Sequence, residues 1–103
     1  MGTFALEGET EGTEEDQAGD EHILFVDDEE SIVRIAKLML ERLGYRVTTR
    51  TGSIDALNTF KADPGAYDLL ITDIAMPKMT GDRLAREALD IRRELPVIVC
   101  TGY

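Results

Sequence analysis

The sequence predicts an α/β fold, a doubly wound parallel sheet, and three observations carry that prediction. From His22 onward, short apolar runs alternate with amphipathic segments, which is the rhythm of βα units. The first run, "HILFV", does not alternate in polarity, so both faces of that strand are covered, as helices on both sides of a sheet would do. Two runs then end directly in carboxylates, "ILFVDDEE" at residues 23–30 and "YDLLITD" at residues 67–73.

Taken in order, the first strand is His22 to Val26. The first helix, about Ser31 to Leu43, places Ile32, Ile35, Ala36, Met39 and Leu43 along one face at helical spacing, and Gly44 follows where a left-handed C-cap is wanted. The second strand, Tyr45 to Arg50, alternates in polarity and reads as a half-exposed edge. The second helix, about Ser53 to Lys61, is expected to bury Ile54, Leu57 and Phe60 before Pro64 and Gly65 break the pattern. The third strand is Tyr67 to Asp73, and the loop "IAMPKMTG" after it has Pro77 and Gly81 as turn residues. The third helix, about Gly81 to Arg93, has Thr80 as its N-cap and turns Leu84, Ala88 and Leu89 inward. Met76 and Met79 read as packing residues, and Arg83, Arg86, Arg92 and Arg93 read as a solvated face interspersed with acids. The fourth strand begins at Pro96 and runs through Cys100 to Thr101.

Charge is unevenly placed. The net charge is -10, but eight of the 21 acids and none of the 11 bases lie in residues 1–21, leaving 13 acids against 11 bases in residues 22–103. The leader "MGTFALEGETEGTEEDQAGDE" has too little apolar content to offset its chain entropy and reads as an acidic disordered tail or interdomain linker. A folded domain is expected over residues 22–103. The single cysteine cannot form an intrachain disulfide, and the chain has neither a long apolar span nor a signal peptide, which together point to the cytoplasm with no membrane contact by this segment. No basic stripe offers itself to nucleic acid.

In an open parallel α/β sheet, ligands bind beyond the carboxyl ends of the strands. Three strands here deliver Asp27, Asp28, Asp73, Cys100 and Thr101 to that edge. Three carboxylates converging without a cation repel one another and raise their own pKa values. A hard divalent cation removes the conflict, and magnesium, held by carboxylates and a phosphate oxygen, is the expected cofactor. With it in place, Asp73 can act as a nucleophile toward phosphorus and Thr101 can donate to a phosphoryl oxygen.

The motifs "ILFVDDEE", "DLLITDIAMPKMTG" and "PVIVCTGY", in this order and spacing, closely resemble the receiver domains of two-component response regulators and hybrid histidine kinases. The resemblance implies a flavodoxin-like sheet of order 2-1-3-4 and a phosphoryl group accepted by Asp73 from a histidine kinase phosphodonor domain. It also implies direct magnesium coordination by Asp28, assistance from Asp27 through water, and a further ligand in the backbone carbonyl of Ala75. Thr101 would be the switch hydroxyl, with Gly102 leaving room for its approach. The resemblance also implies a fifth strand with its lysine and last helices that this chain, ending at Tyr103, is expected to lack. The fourth strand would then keep an unpaired edge open to homo-oligomer formation.

The expected role is a phosphoacceptor signalling domain in a phosphorelay, not an enzyme in its own right, and the acidic leader fits a hybrid histidine kinase as parent. The alternative is a phosphorylation-incompetent docking or self-associating module. A phosphatase of the haloacid dehalogenase type would need an acid two residues after the nucleophile, where this chain has Ala75.

Overall fold

The computed structural model describes residues 21–101 and contains one sheet of four parallel strands in the order β2-β1-β3-β4. These are β1 (His22–Val26), β2 (Arg46–Arg50), β3 (Leu69–Asp73) and β4 (Val97–Cys100). Three helices connect them, α1 (Glu30–Arg42), α2 (Ser53–Ala62) and α3 (Gly81–Ile91), with a 3-10 turn at Pro64–Ala66. Fold class, strand order and the edge position of β2 are as the sequence predicts. The leader up to residue 20 and the Gly102 position lie outside the described residues.

Because successive side chains point to opposite faces of a strand, β1 feeds two cores. Leu24 and Val26, with Leu70 of β3, pack against Ala56, Leu57 and Phe60 of α2 and Leu84 and Ala88 of α3. Ile23, with Val47 and Ile71, packs against Leu40 of α1. Phe60 is 1% exposed, and its truncation to Ala would cost about 3–5 kcal/mol. Met76 belongs to the first core and Met79 packs against it, as predicted.

Three packing expectations are corrected. On α1 the buried residues are Val33 and Leu40, while Ile32, Ile35, Met39 and Leu43 are exposed at 42% to 58%. The sheet covers one stripe of the helix and the expected stripe lies beside it, along a groove shared with Phe25, Ile98 and Cys100. On α2, Ile54 is 48% exposed and Ser53 and Ala56 take the inward places beside Leu57 and Phe60. Arg92 does not belong to a solvated face. It lies at the end of α3 and its guanidinium donates to the carbonyls of Pro64 (3.1 Å) and Tyr67, fastening the helix to the segment before β3.

The end of α1 follows its sequence closely. Gly44 has φ 102°, and the amides of Gly44 and Tyr45 donate to Glu41 and Leu40 carbonyls at 3.0 and 3.1 Å. That double bond pattern closes the last turn with a residue in the left-handed region, where a Cβ would be strained. Thr80 sits at the cap of α3 with extended backbone, but its side chain does not cap a backbone amide of the helix. Its hydroxyl instead bonds the Asp82 carboxylate and holds that group below the usual carboxylate range. Among the described residues, no helix is long and apolar enough to cross a membrane.

Candidate functional site

The pairing register brings the acids together. Val26 pairs with Thr72 across β1 and β3, so Asp27, one step further, arrives beside Asp73. Each of Asp27, Asp28 and Asp73 offers a carboxylate oxygen, and the three lie within 4.8 Å of one another. Asp27 and Asp73 are half-buried and Asp28 is exposed. Among the described residues, no basic side chain forms an ion pair with any of the three.

The geometry has an electrostatic consequence. Asp27 is raised above the ordinary carboxylate range, first by burial and then by the charges of Asp73, Asp28 and Glu29; the Glu29 amide, donating to Asp27 Oδ1 at 2.9 Å, opposes the rise. Burial together with the Asp73 and Asp27 charges also pushes the Cys100 thiol up. The donor set is all oxygen and already paired across two strands, which suits a hard cation such as magnesium and not a soft or nitrogen-seeking one.

β3 and β4 bring the remaining predicted residues alongside. Asp73 pairs with Cys100, and the Ile74 amide donates to the Cys100 carbonyl at 2.9 Å. Thr101 is the next residue, exposed, beyond the strand. Ala75 is exposed in the loop between β3 and α3. That loop is held by its own backbone, since the amides of Met76 (3.1 Å) and Gly81 (2.9 Å) both donate to the Ile74 carbonyl. A tight turn follows in which the Met79 amide donates to the Pro77 carbonyl at 2.7 Å and Lys78 takes φ 71°. The left-handed residue of the loop is therefore Lys78, and Gly81, read both as a turn residue and as the start of the third helix, opens α3 as that second reading has it.

Sequence reading missed two contacts on Asp73. Thr72 is fully buried and its hydroxyl donates to the Asp73 carbonyl at 3.0 Å. Gly81 packs so closely on that carbonyl that a Cβ would stand 1.9 Å from its oxygen. The signals were a hydroxyl inside an apolar strand and a glycine opening a helix, neither of which points to a neighbour without coordinates.

Comparison with known proteins gives a consistent result. Residues 23–103 match the response regulator receiver domain family. The response regulator SaeR of Staphylococcus epidermidis is 38% identical over 81 residues, which is 79% of this chain and 34% of that protein. The chain thus spans about a third of the length of the first curated relatives it matches. Among solved structures, the response regulator TrrA of Thermotoga maritima, crystallised with Mg(2+)-BeF, superposes with a TM-score of 0.76 at 36% identity, covering 82% of this chain and 71% of that one. TrrA in complex with the histidine kinase ThkA superposes at 0.74 with the same identity and coverage.

Proposed function

The chain belongs to the family of response regulator receiver domains, and we propose that within it Asp73 accepts a phosphoryl group from a phosphohistidine on a histidine kinase. The observation that carries the reading is the convergence of three carboxylates within 4.8 Å at the carboxyl end of a parallel sheet. Support comes from TrrA, a relative that has been crystallised both with Mg(2+)-BeF and with a histidine kinase.

Asp28, Asp27, Asp73 and the Ala75 carbonyl would hold magnesium, which supplies positive charge to neutralise the carboxylates and the equatorial phosphoryl oxygens. The chain's own residues do the rest. An Asp73 carboxylate oxygen attacks phosphorus in line with the donor nitrogen. The O–P bond forms as the N–P bond breaks, and the imidazole nitrogen keeps the bonding pair and takes up a proton from solvent. Thr101, next to the strand end that pairs with Asp73, donates its hydroxyl to a phosphoryl oxygen of the product. The product adds about 1.5 to 2 negative charges to this edge of the sheet. The role is signalling by group acceptance, with no turnover of substrate required.

The test uses a small acyl phosphate, acetyl phosphate, so that the identity of the kinase does not matter. Wild-type protein with magnesium is expected to take up one hydroxylamine-labile phosphoryl group, and Asp73→Asn none. Equal labelling of Asp73→Asn, or no labelling of folded wild type by either acetyl phosphate or a phosphorylated kinase domain, would overturn the proposal.

A further inference from the structure

We propose that Gly81 and Thr72 are positioning residues that fix the Asp73 peptide, and with it the nucleophile's carboxylate and the loop carrying the Ala75 carbonyl. The inference rests on Asp73 being the phosphoacceptor.

Two contacts converge on one carbonyl from different elements. From within β3, the Thr72 hydroxyl donates to the Asp73 carbonyl at 3.0 Å. From the start of α3, Gly81 lies flat against it: an added Cβ would meet the Asp73 oxygen at 1.9 Å, the Asp73 carbonyl carbon at 2.7 Å and the Ile74 Cα at 2.9 Å. All three are backbone atoms, so no side chain can swing away to make room. A methyl there must displace either the Asp73–Ile74 peptide or the whole of α3.

The next peptide is held as well. The Ile74 amide donates to Cys100 and its carbonyl accepts from Met76 and Gly81. Gly81 therefore serves the loop twice, through its amide and through its missing side chain. The demand is not conformational, because Gly81 is a helical residue without a left-handed φ; it is one of space. Gly52 and Gly65 differ in this respect, for a methyl added at either would have nothing within 4 Å. A displacement of about an ångström at a reacting group is enough to cost roughly a hundredfold in rate.

The experiment measures magnesium Kd and the rate of labelling by acetyl phosphate at saturating magnesium, together with Tm, for Gly81→Ala, Thr72→Val, Gly65→Ala and Leu84→Ala. Gly81→Ala is expected to raise the magnesium Kd about tenfold or more and slow labelling by at least as much. Thr72→Val, which keeps the shape and removes the donor, is expected to shift both by about threefold. Gly65→Ala should match wild type. Leu84→Ala, on the same helix but buried in the core against α2 and the sheet, should lower Tm and leave magnesium Kd unchanged, which separates positioning from general stability. A folded Gly81→Ala with wild-type Kd and rate overturns the inference. Should Gly81→Ala fail to fold, Thr72→Val decides, and wild-type values in that variant overturn it equally. If wild type itself takes up neither magnesium nor phosphoryl, the phosphoacceptor reading has failed and the positioning inference falls with it, a pattern distinct from a competent wild type with indifferent variants.

Discussion

The two ends of the sheet handle polar groups in opposite ways. At the amino end, His22 is enclosed: its Nδ1 lies 3.1 Å from the Ala66 carbonyl, its Nε2 2.7 Å from the Thr48 hydroxyl, and its ring 4.7 Å from that of Tyr67. The His22 amide donates to the Asp68 carboxylate at 2.8 Å, and Arg92 satisfies two carbonyls nearby. At the carboxyl end, Asp27, Asp28 and Asp73 face one another, and among the described residues only Asp27 receives an internal donor, the Glu29 amide. Polar groups that complete one another serve the fold; polar groups that oppose one another await a partner from solution.

Substitutions can break or sharpen that contrast. The largest effect is expected from Asp73→Asn, which should reduce phosphoryl labelling by at least about a hundredfold while leaving the protein as stable as before, because the change removes repulsion and not a satisfied bond. A steep fall in Tm for this variant would place Asp73 among the structural groups. Next comes magnesium itself. At about 100 times its Kd it should raise stability by about 2.7 kcal/mol, read as a shift of the urea midpoint, and Asp28→Ala should abolish most of that gain.

At the amino end, Arg92→Ala should cost about 1–3 kcal/mol by leaving the Pro64 and Tyr67 carbonyls without their donor, with magnesium Kd unchanged. A changed Kd would mean that the two ends are coupled. A smaller effect, with a definite sign, concerns pH. The folded pKa of Asp27 is raised, so the fold binds this proton more tightly than the unfolded chain does. Its contribution is fully present below the unfolded value of about 3.8 and is lost as pH rises through the raised folded value. Without magnesium, Asp27→Asn should therefore stabilise at neutral pH, by less than about 1 kcal/mol because solvent screens a half-exposed group, and have no advantage near pH 3. Smallest of all, Lys37→Ala should change stability by no more than about 0.5 kcal/mol, since the Lys37–Glu41 pair is exposed on both sides.

Much of this contrast was legible in the sequence. An apolar run that stops at Asp27 and Asp28, and another that stops at Asp73, announce buried strands whose carboxyl ends carry charge, while the strand order came from the resemblance to receiver domains. The face of α1 was not legible. Its apolar residues occupy more of the circumference than one sheet can cover, and spacing selected Ile32, Ile35, Met39 and Leu43, whereas the register of α1 on β1 and β2 buries Val33 and Leu40. Arg92 was misread because its role depends on a contact with residues 64 and 67, 28 and 25 positions away in sequence. The roles of Thr72 and Gly81 were invisible for the same reason: what matters about each is one carbonyl oxygen and its place in space.

The most direct test is a magnesium titration of the wild-type chain followed by amide shifts at Asp28, Asp73 and Thr101, repeated with beryllofluoride as a phosphoryl mimic. The account predicts saturable shifts at Asp28 and Asp73 with magnesium, extension of the response to Thr101 when beryllofluoride is added, and loss of the beryllofluoride step in Asp73→Asn. Shifts confined to scattered surface carboxylates, or a folded protein whose three amides do not respond, would contradict it.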